Sequence, residues 1–354
     1  MEDSVTETVN NLRSSVEELP VERLQEYLSG KVDGFNGPVT VTKFPGGQSN
    51  PTFKLQTPAR SYVLRRQPPG KLLKSAHAVD REYRVMSALA DTNVPVPKVL
   101  HLCEDRDLIG SMFYLMEYCE GRIFWNAALP EVDAEQRSAM YDEMNRVLAA
   151  MHSLDINAVG LSDYGRPGNY FQRQLDRWST QYRASELEPI AAMDELMAWL
   201  GDVLPDDDGR IALVHGDYRL DNMIFHPQEP KVIALLDWEL STLGHPYADL
   251  AYQCMQMRMP AGKDKMSGLL GLDIKALGIP SENQYVAKYC QRMGIDGIDN
   301  WPFYLAFSFF RLAAIVQGVV KRAKDGNASN KNAAKLGALV EPLAQAALDI
   351  AANG

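Results

Sequence analysis

Two stretches of the chain hold side chains whose types and spacing could do chemistry. Leu213 to Phe225 reads LVHGDYRLDNMIF, and Val232 to Leu240 reads VIALLDWEL. His215 and Asp217 flank a glycine, Asn222 lies five residues beyond that aspartate, and Asp237 leaves an apolar run fifteen residues further on. Moving a phosphoryl group from a nucleotide to an alcohol requires a carboxylate beside the attacking hydroxyl. It also requires hard oxygen ligands for the Mg2+ that bridges the phosphates. Asp217 is the candidate catalytic base, and Asn222 and Asp237 are the candidate metal ligands. The competing reading is a polar turn in which His215, Asp217, Asp221 and Asn222 satisfy their own backbone, as Asx turns do. The LLDWE string at this remove favours the chemical reading. His215 is expected to anchor the loop as a structural donor, Trp238 to fill core, and Glu239 to add an oxygen near the metal. No G-x-S-x-G string occurs in the chain, which argues against a serine hydrolase built on a nucleophile elbow.

The same chemistry needs a cation on the nucleotide phosphates. Arg65, in SYVLRRQ, is the candidate, and Glu82 in the following helical segment is its expected partner. A carboxylate bordering an apolar stripe is costly to bury unpaired; local pairing of Glu82 with Arg81 or Arg84 is the alternative. Upstream, FPGGQSNPTFKL reads as a turn between two strands. Gly46 and Gly47 let backbone approach phosphate oxygens, and Gln48, Ser49 and Asn50 add donors. LMEYCEG reads as a joining segment, where the backbone at Glu117 and Tyr118 is expected to meet an adenine edge. The cofactors implied are ATP and Mg2+.

These groups need elements to hold them. VTVTKF, TFKLQ and SYVLRRQ alternate apolar and polar residues in short runs bounded by Gly and Pro, which predicts antiparallel strands exposed on one face. In AHAVDREYRVMSALA, Val79, Tyr83, Met86 and Leu89 recur at helical spacing, and VPVPKVLHLCED and SMFYLMEYC return to strand texture. Beyond Gly121 the texture is helical. Met140, Met144, Val147, Leu148 and Met151 form one apolar stripe, and FQRQLDRWSTQYR, ELMAWLGDVL, YVAKYCQRM, Phe303 to Val320 and the alanine-rich C-terminus read as further helices. At 354 residues the chain exceeds the usual size of one domain. The expectation is an α+β protein of two lobes. Residues 1–118 would form a nucleotide-binding lobe, a small antiparallel β-sheet with one main helix and a helical N-terminal extension. Residues 119–354 would form a larger, mainly α lobe carrying catalysis and acceptor binding.

Composition narrows the partners. The net charge is −10 and no run of Lys and Arg could track a phosphate backbone, so nucleic acid is not expected. Cys103, Cys119, Cys254 and Cys290 are far apart with no C-x-x-C pair, which suggests neither a zinc site nor a disulfide framework. The N-terminus is polar and acidic where a secretory signal would be basic and then apolar. Phe303 to Val320 is apolar enough to suggest a membrane span, but Ser308, Arg311 and Gln317 interrupt it, and a buried helix is the better reading. A cytoplasmic protein with a small-molecule substrate and no membrane partner is expected; the sequence leaves the oligomeric state open.

Taken in order, the glycine turn, strand cation, helix glutamate, joining segment, HGDxxxxN and DWE resemble the aminoglycoside phosphotransferase branch of the protein-kinase-like fold, over about residues 35 to 325. The strings GGQSNPTF, YVLRRQPPG, REYRV, HGDYRLDNMIF and LLDWELSTLGHPYADLAY look most like the kinase-like domain associated with acyl-CoA dehydrogenases. This resemblance implies a two-lobed ATP-dependent phosphotransferase, with Asp217 as base, Asn222 and Asp237 on Mg2+, and Asp249 bracing the catalytic loop. It also implies a hydroxyacyl-CoA as leading acceptor. An aminoglycoside- or choline-like amino-alcohol is the alternative acceptor, and a nucleotide-binding module without turnover the alternative function. The chain departs from the family pattern at Arg65, where lysine is usual, in its abbreviated glycine loop, and at Gly244-His245-Pro246, where many relatives read Gly-Asp-Pro. Of the basic residues in the larger lobe, Arg311 interrupts an otherwise apolar helix, and a buried structural pairing is its expected explanation.

Overall fold

The computed structural model describes residues 19–44, 50–68, 77–262, 267–325 and 333–353. They fall into two compact units. One contains the described residues up to Asp91 together with Val96–Cys119; the other contains Thr92–Pro95 and the described residues from Glu120 onward.

In the first unit, α1 (Val21–Ser29) precedes β1 (Thr40–Lys43), β2 (Thr52–Gln56) and β3 (Ser61–Arg66). Then come α2 (Val79–Leu89), β4 (Val99–Cys103), the one-turn α3 (Arg106–Ile109) and β5 (Phe113–Glu117). The strands form one antiparallel sheet in the order β1-β2-β3-β5-β4. Side chains alternate between the faces of a strand, so the sheet has two characters. Tyr62 and Leu64 of β3 and Phe113 and Leu115 of β5 enter a core with Leu24 and Leu28 of α1. Each such fully buried side chain contributes about 1.5–3 kcal/mol. Arg65 and Tyr114 are register partners on the opposite face, the side on which α2 packs against β4 and β5. The buried stripe of α2 is Val79, Glu82, Val85, Met86 and Leu89. The stripe therefore includes a glutamate, and Tyr83 flanks it.

The second unit contains two short ribbons and a set of helices. The helices are α4 (Ala134–His152), α5 (Tyr170–Ser185), α6 (Ala191–Asp202), α7 (Tyr247–Arg258), α8 (Glu282–Met293), α9 (Trp301–Lys324) and α10 (Val340–Asn353). Asp133 caps α4 by accepting the Gln136 N–H at 2.8 Å, and the stripe Met140, Met144, Val147, Leu148 and Met151 is fully buried. Central to the unit is α9, which packs on α5, α7 and α10. It is long and apolar enough to cross a membrane, yet 72% of its most apolar stretch is buried inside the protein, as a core helix requires. In sequence the helical pattern left Tyr247–Arg258 unassigned, and the structure makes it helical.

The ribbons position the chemistry. β6 (Ala212–Val214) pairs with β9 (Thr242–Gly244), and β7 (Met223–Phe225) pairs with β8 (Val232–Leu235), both antiparallel. The segment from β6 to β7 and the segment from β8 to β9 therefore run between the same two ribbons. Residues 215–222 and 236–241 are thereby brought side by side.

Candidate active site

At the end of β6 the chain turns through Gly216, whose φ is +83°; a Cβ there would lie 2.7 Å from the Leu240 carbonyl oxygen. Only glycine suits both demands. His215 is fully buried. Its Nε2–H donates to the Leu236 carbonyl at 2.8 Å, and its Nδ1 accepts the Asp217 N–H at 3.2 Å. The Leu236 N–H in turn donates to the Asn222 carbonyl at 2.8 Å. These bonds tie the two loops together, and His215 acts as the structural donor the sequence suggested.

Asp249, in the first turn of α7, closes the arrangement from below. Its carboxylate accepts the His215 N–H at 2.7 Å and the Gly216 N–H at 2.8 Å, and lies 3.4 Å from His152 Nε2. Burial pushes this carboxyl up, but the His152 hydrogen bond, the nearby histidine charges and the Gly216 N–H together outweigh it. Its pKa lies below the ordinary aspartate value. His152 is oriented by the Tyr289 hydroxyl at 2.8 Å.

Asp217 is half-buried on the loop so braced. Asn222 donates its Nδ2 to the Asp217 carbonyl at 2.8 Å and to Asp217 Oδ2 at 2.9 Å. Its nitrogen is thus committed to Asp217. Asp237 lies two residues beyond the end of β8, in the left-handed region at φ +65°. Trp238 then drops into the core, donating to the Leu235 carbonyl at 2.9 Å and packing on His215 with ring centres 4.7 Å apart. Glu239 is exposed. Among the described residues no group of three or more His, Cys, Asp or Glu could hold a metal ion. Asn222 and Asp237 carry oxygens of the kind that could hold Mg2+, an ion bound through few protein oxygens with the rest from water and substrate phosphates.

On the other side of Asp217 lie groups the sequence did not connect with it. The Tyr252 phenol, on α7, stands near Asp217; burial first, and then the charge of that carboxylate, raise its pKa. Arg311 reaches from α9 to donate Nη2 to the Gly216 carbonyl. Its guanidinium lies over the rings of Tyr252 and Trp178, 5.2 and 5.6 Å from their centres. The expected structural pairing of Arg311 is thus with a backbone carbonyl and two aromatic faces; among the described residues no carboxylate pairs with it. His245 is buried and stacks on Tyr304 at 5.7 Å; burial lowers its pKa against the opposing charge of Asp208.

In the first unit, Arg65 Nε lies 2.8 Å from Glu82 Oε2, the nominated pairing. Glu82 is 1% exposed and also accepts from Asn50 Nδ2 at 2.8 Å and the Tyr114 hydroxyl at 3.1 Å. Asn50 departs from its expected part as a phosphate donor: it is fully buried, its nitrogen on Glu82 and its oxygen 3.1 Å from His77 Nδ1. A carboxylate buried this deeply needs several donors, and Asn50 supplies one. The Glu117 N–H is bonded to the Lys98 carbonyl at 2.9 Å, so it is not available to an adenine. Tyr118 lies under the Lys54 ammonium at 4.1 Å. Gly46, Gly47, Gln48 and Ser49 lie outside the described residues.

Comparison with known proteins decides the family. Residues 40–271 match the model of the phosphotransferase enzyme family. The chain belongs to that family. Mouse acyl-CoA dehydrogenase family member 10 is 48% identical over 94% of this chain and 31% of its own length. Human acyl-CoA dehydrogenase family member 11 is 42% identical over 92% of this chain and 42% of its own. The chain thus spans less than half of these relatives. Among solved structures, a Ralstonia eutropha JMP134 protein provisionally described as an aminoglycoside phosphotransferase is 50% identical, with a TM-score of 0.86 over 95% of this chain and 99% of that one. The aminoglycoside phosphotransferase APH(4)-Ia, solved in a ternary complex with ADP and hygromycin B, has a TM-score of 0.61 at 15% identity, over 93% of this chain and 99% of that one; that likeness is one of fold. The architecture is the α+β kinase-like fold of the aminoglycoside phosphotransferases, and the chain is a phosphotransferase of the small-molecule type.

Proposed function

We propose that the chain is an ATP- and Mg2+-dependent phosphotransferase that moves the γ-phosphate onto a hydroxyl of a small molecule, with a hydroxyacyl-CoA as acceptor. The observation that carries the reading is how Asp217 is held, its carboxylate on Asn222 and the backbone before it clamped by Asp249. A base fixed in this way needs little reorganisation at the moment of reaction. The acceptor oxygen attacks the γ-phosphorus, the bond to the bridging oxygen breaks and ADP leaves, and the hydroxyl proton passes to the Asp217 carboxylate. Asn222 and Asp237 would hold Mg2+, which supplies charge neutralisation on the phosphates. Arg65, oriented by Glu82, is the cation for the nucleotide; as an arginine it stays charged and offers a planar fork where a lysine would offer a point charge.

The groups around Asp217 support this acceptor class. A cationic amino-alcohol would want acidic groups, but Asp133 caps α4 and Glu143 pairs with Arg146 at 2.6 Å. Beside Asp217 stand Arg311, Tyr252 and Trp178 instead. An acyl-CoA fits that setting, and relatives at 42–48% identity carry acyl-CoA dehydrogenase names. The test is a screen of purified protein with Mg2+ and γ-labelled ATP against hydroxyacyl-CoA thioesters and against aminoglycosides and choline-like alcohols. Label entering the thioesters supports the reading; label entering only the cationic set overturns the acceptor class, and nucleotide binding without transfer to any acceptor overturns the activity.

A further inference from the structure

From Trp301 to Val320, α9 carries one charged side chain, Arg311. An ion in the middle of such a helix is retained against a large desolvation cost unless something compensates it. Among the described residues no carboxylate forms an ion pair with Arg311. Its hydrogen bond to the Gly216 carbonyl uses one of five N–H donors, and the Trp178 and Tyr252 faces cover the plane of the guanidinium without neutralising it. Gly216 adjoins Asp217, so the fork, bonded to the Gly216 carbonyl, sits one peptide from the base. A second cation, the exposed Arg177 of α5, lies over the same Trp178 ring at 5.3 Å. Arg173, one turn earlier, is bonded to the Arg166 and Pro167 carbonyls. The Tyr170 phenol stands near all three arginines: burial and, less, Asp249 raise its pKa, Arg311, Arg177 and Arg173 oppose them, and the net result is a rise to about 12.

We propose that Arg311, backed by Arg177, is the specificity-determining group of the acceptor site and binds an oxyanion of the acceptor, a phosphate or a carboxylate. The guanidinium fork matches such a group bidentately. The inference rests on the phosphotransferase reading in placing the acceptor beside Asp217, but not on the acceptor being an acyl-CoA. A purely structural Arg311 would only hold the Gly216 peptide, and that role would be indifferent to the charge of the ligand.

The test is equilibrium binding, followed by tryptophan fluorescence, to protein saturated with Mg2+ and a non-hydrolysable ATP analogue so that the nucleotide site is filled. The probes are coenzyme A and inorganic pyrophosphate. Arg311→Gln keeps a donor for the carbonyl but loses the charge, and Arg311→Lys keeps the charge but loses the fork. The expected result is that Arg311→Gln weakens both anions about tenfold or more and Arg311→Lys falls between it and the parent. Arg177→Gln, at an exposed position, should weaken them by a smaller factor, which keeps the test open should the Arg311 variants not fold. Pyrophosphate binding that depends on these arginines, with no coenzyme A binding, upholds the inference and removes the acyl-CoA reading. Failure of the parent to bind either anion, or equal binding by parent and variants, overturns the inference.

Discussion

Replacing Asp249 by asparagine perturbs the brace under the catalytic loop while removing only a charge and one acceptor. In the folded protein one carboxylate oxygen takes the Gly216 N–H at 2.8 Å, and the other takes the His215 N–H at 2.7 Å with His152 at 3.4 Å. An asparagine amide presents oxygen to one of these N–H groups and a second donor to the other. The variant loses one charge-assisted hydrogen bond and strands a buried N–H, which together cost about 2–4 kcal/mol. For a cooperative unit of this size that corresponds to a Tm lower by roughly 5–15 °C. The pH dependence is the sharper readout. Asp249 has a folded pKa below its ordinary value, so its stabilisation is fully present above the unfolded value of about 3.9 and is lost as pH falls through the folded value. The stability difference between parent and Asp249→Asn should be present at about pH 5 and shrink as pH drops below about 4. Thermal unfolding of both proteins across that range provides the measurement. A difference that is negligible at neutral pH, or one that persists unchanged into acid, would refute the reasoning.

Two further substitutions probe separate parts of the account. Glu82→Gln disrupts a carboxylate on which Asn50, Tyr114 and Arg65 converge; the expected cost is about 3–5 kcal/mol in denaturant unfolding, with a raised KM for ATP and an unaltered KM for the acceptor. Gly216→Ala forces a Cβ to 2.7 Å from the Leu240 carbonyl at φ +83°; it should destabilise by about 2–3 kcal/mol and lower kcat, and a variant with parental Tm and kcat would contradict the loop geometry.

The parts of the molecule legible in the sequence are those whose spacing reflects a local constraint. His215, Asp217, Asn222 and Asp237 sit on short loops between short strands, so their order along the chain already limits where they can go. Arg65 could be matched to Glu82 because a carboxylate bordering an apolar helical stripe is costly to bury without a cation, and a strand arginine lies just upstream. Helix α7 gave no such signal: Tyr247, Asp249, Leu250, Ala251, Tyr252, Gln253, Cys254, Met255 and Met257 are all buried. A helix buried on every side has no polar face and no amphipathic period. Tyr252 was therefore missed, and Asp249 came only through family resemblance. Asn50 misled because a polar residue after a glycine turn reads as a ligand donor, and nothing local reveals that a distant carboxylate needs it. The surroundings of Arg311 were equally invisible, since Gly216, Trp178 and Tyr252 come from three separate elements.

The account depends on Asp217 taking the acceptor proton during phosphoryl transfer. The most direct measurement is single-turnover transfer of labelled γ-phosphate to the acceptor found by the screen, comparing the parent with Asp217→Asn. The account predicts a rate lower by about 10²–10⁴-fold, while the variant, with Asn222 still able to bond the new amide oxygen, continues to fold and to bind nucleotide. A variant that transfers phosphate as fast as the parent would contradict it.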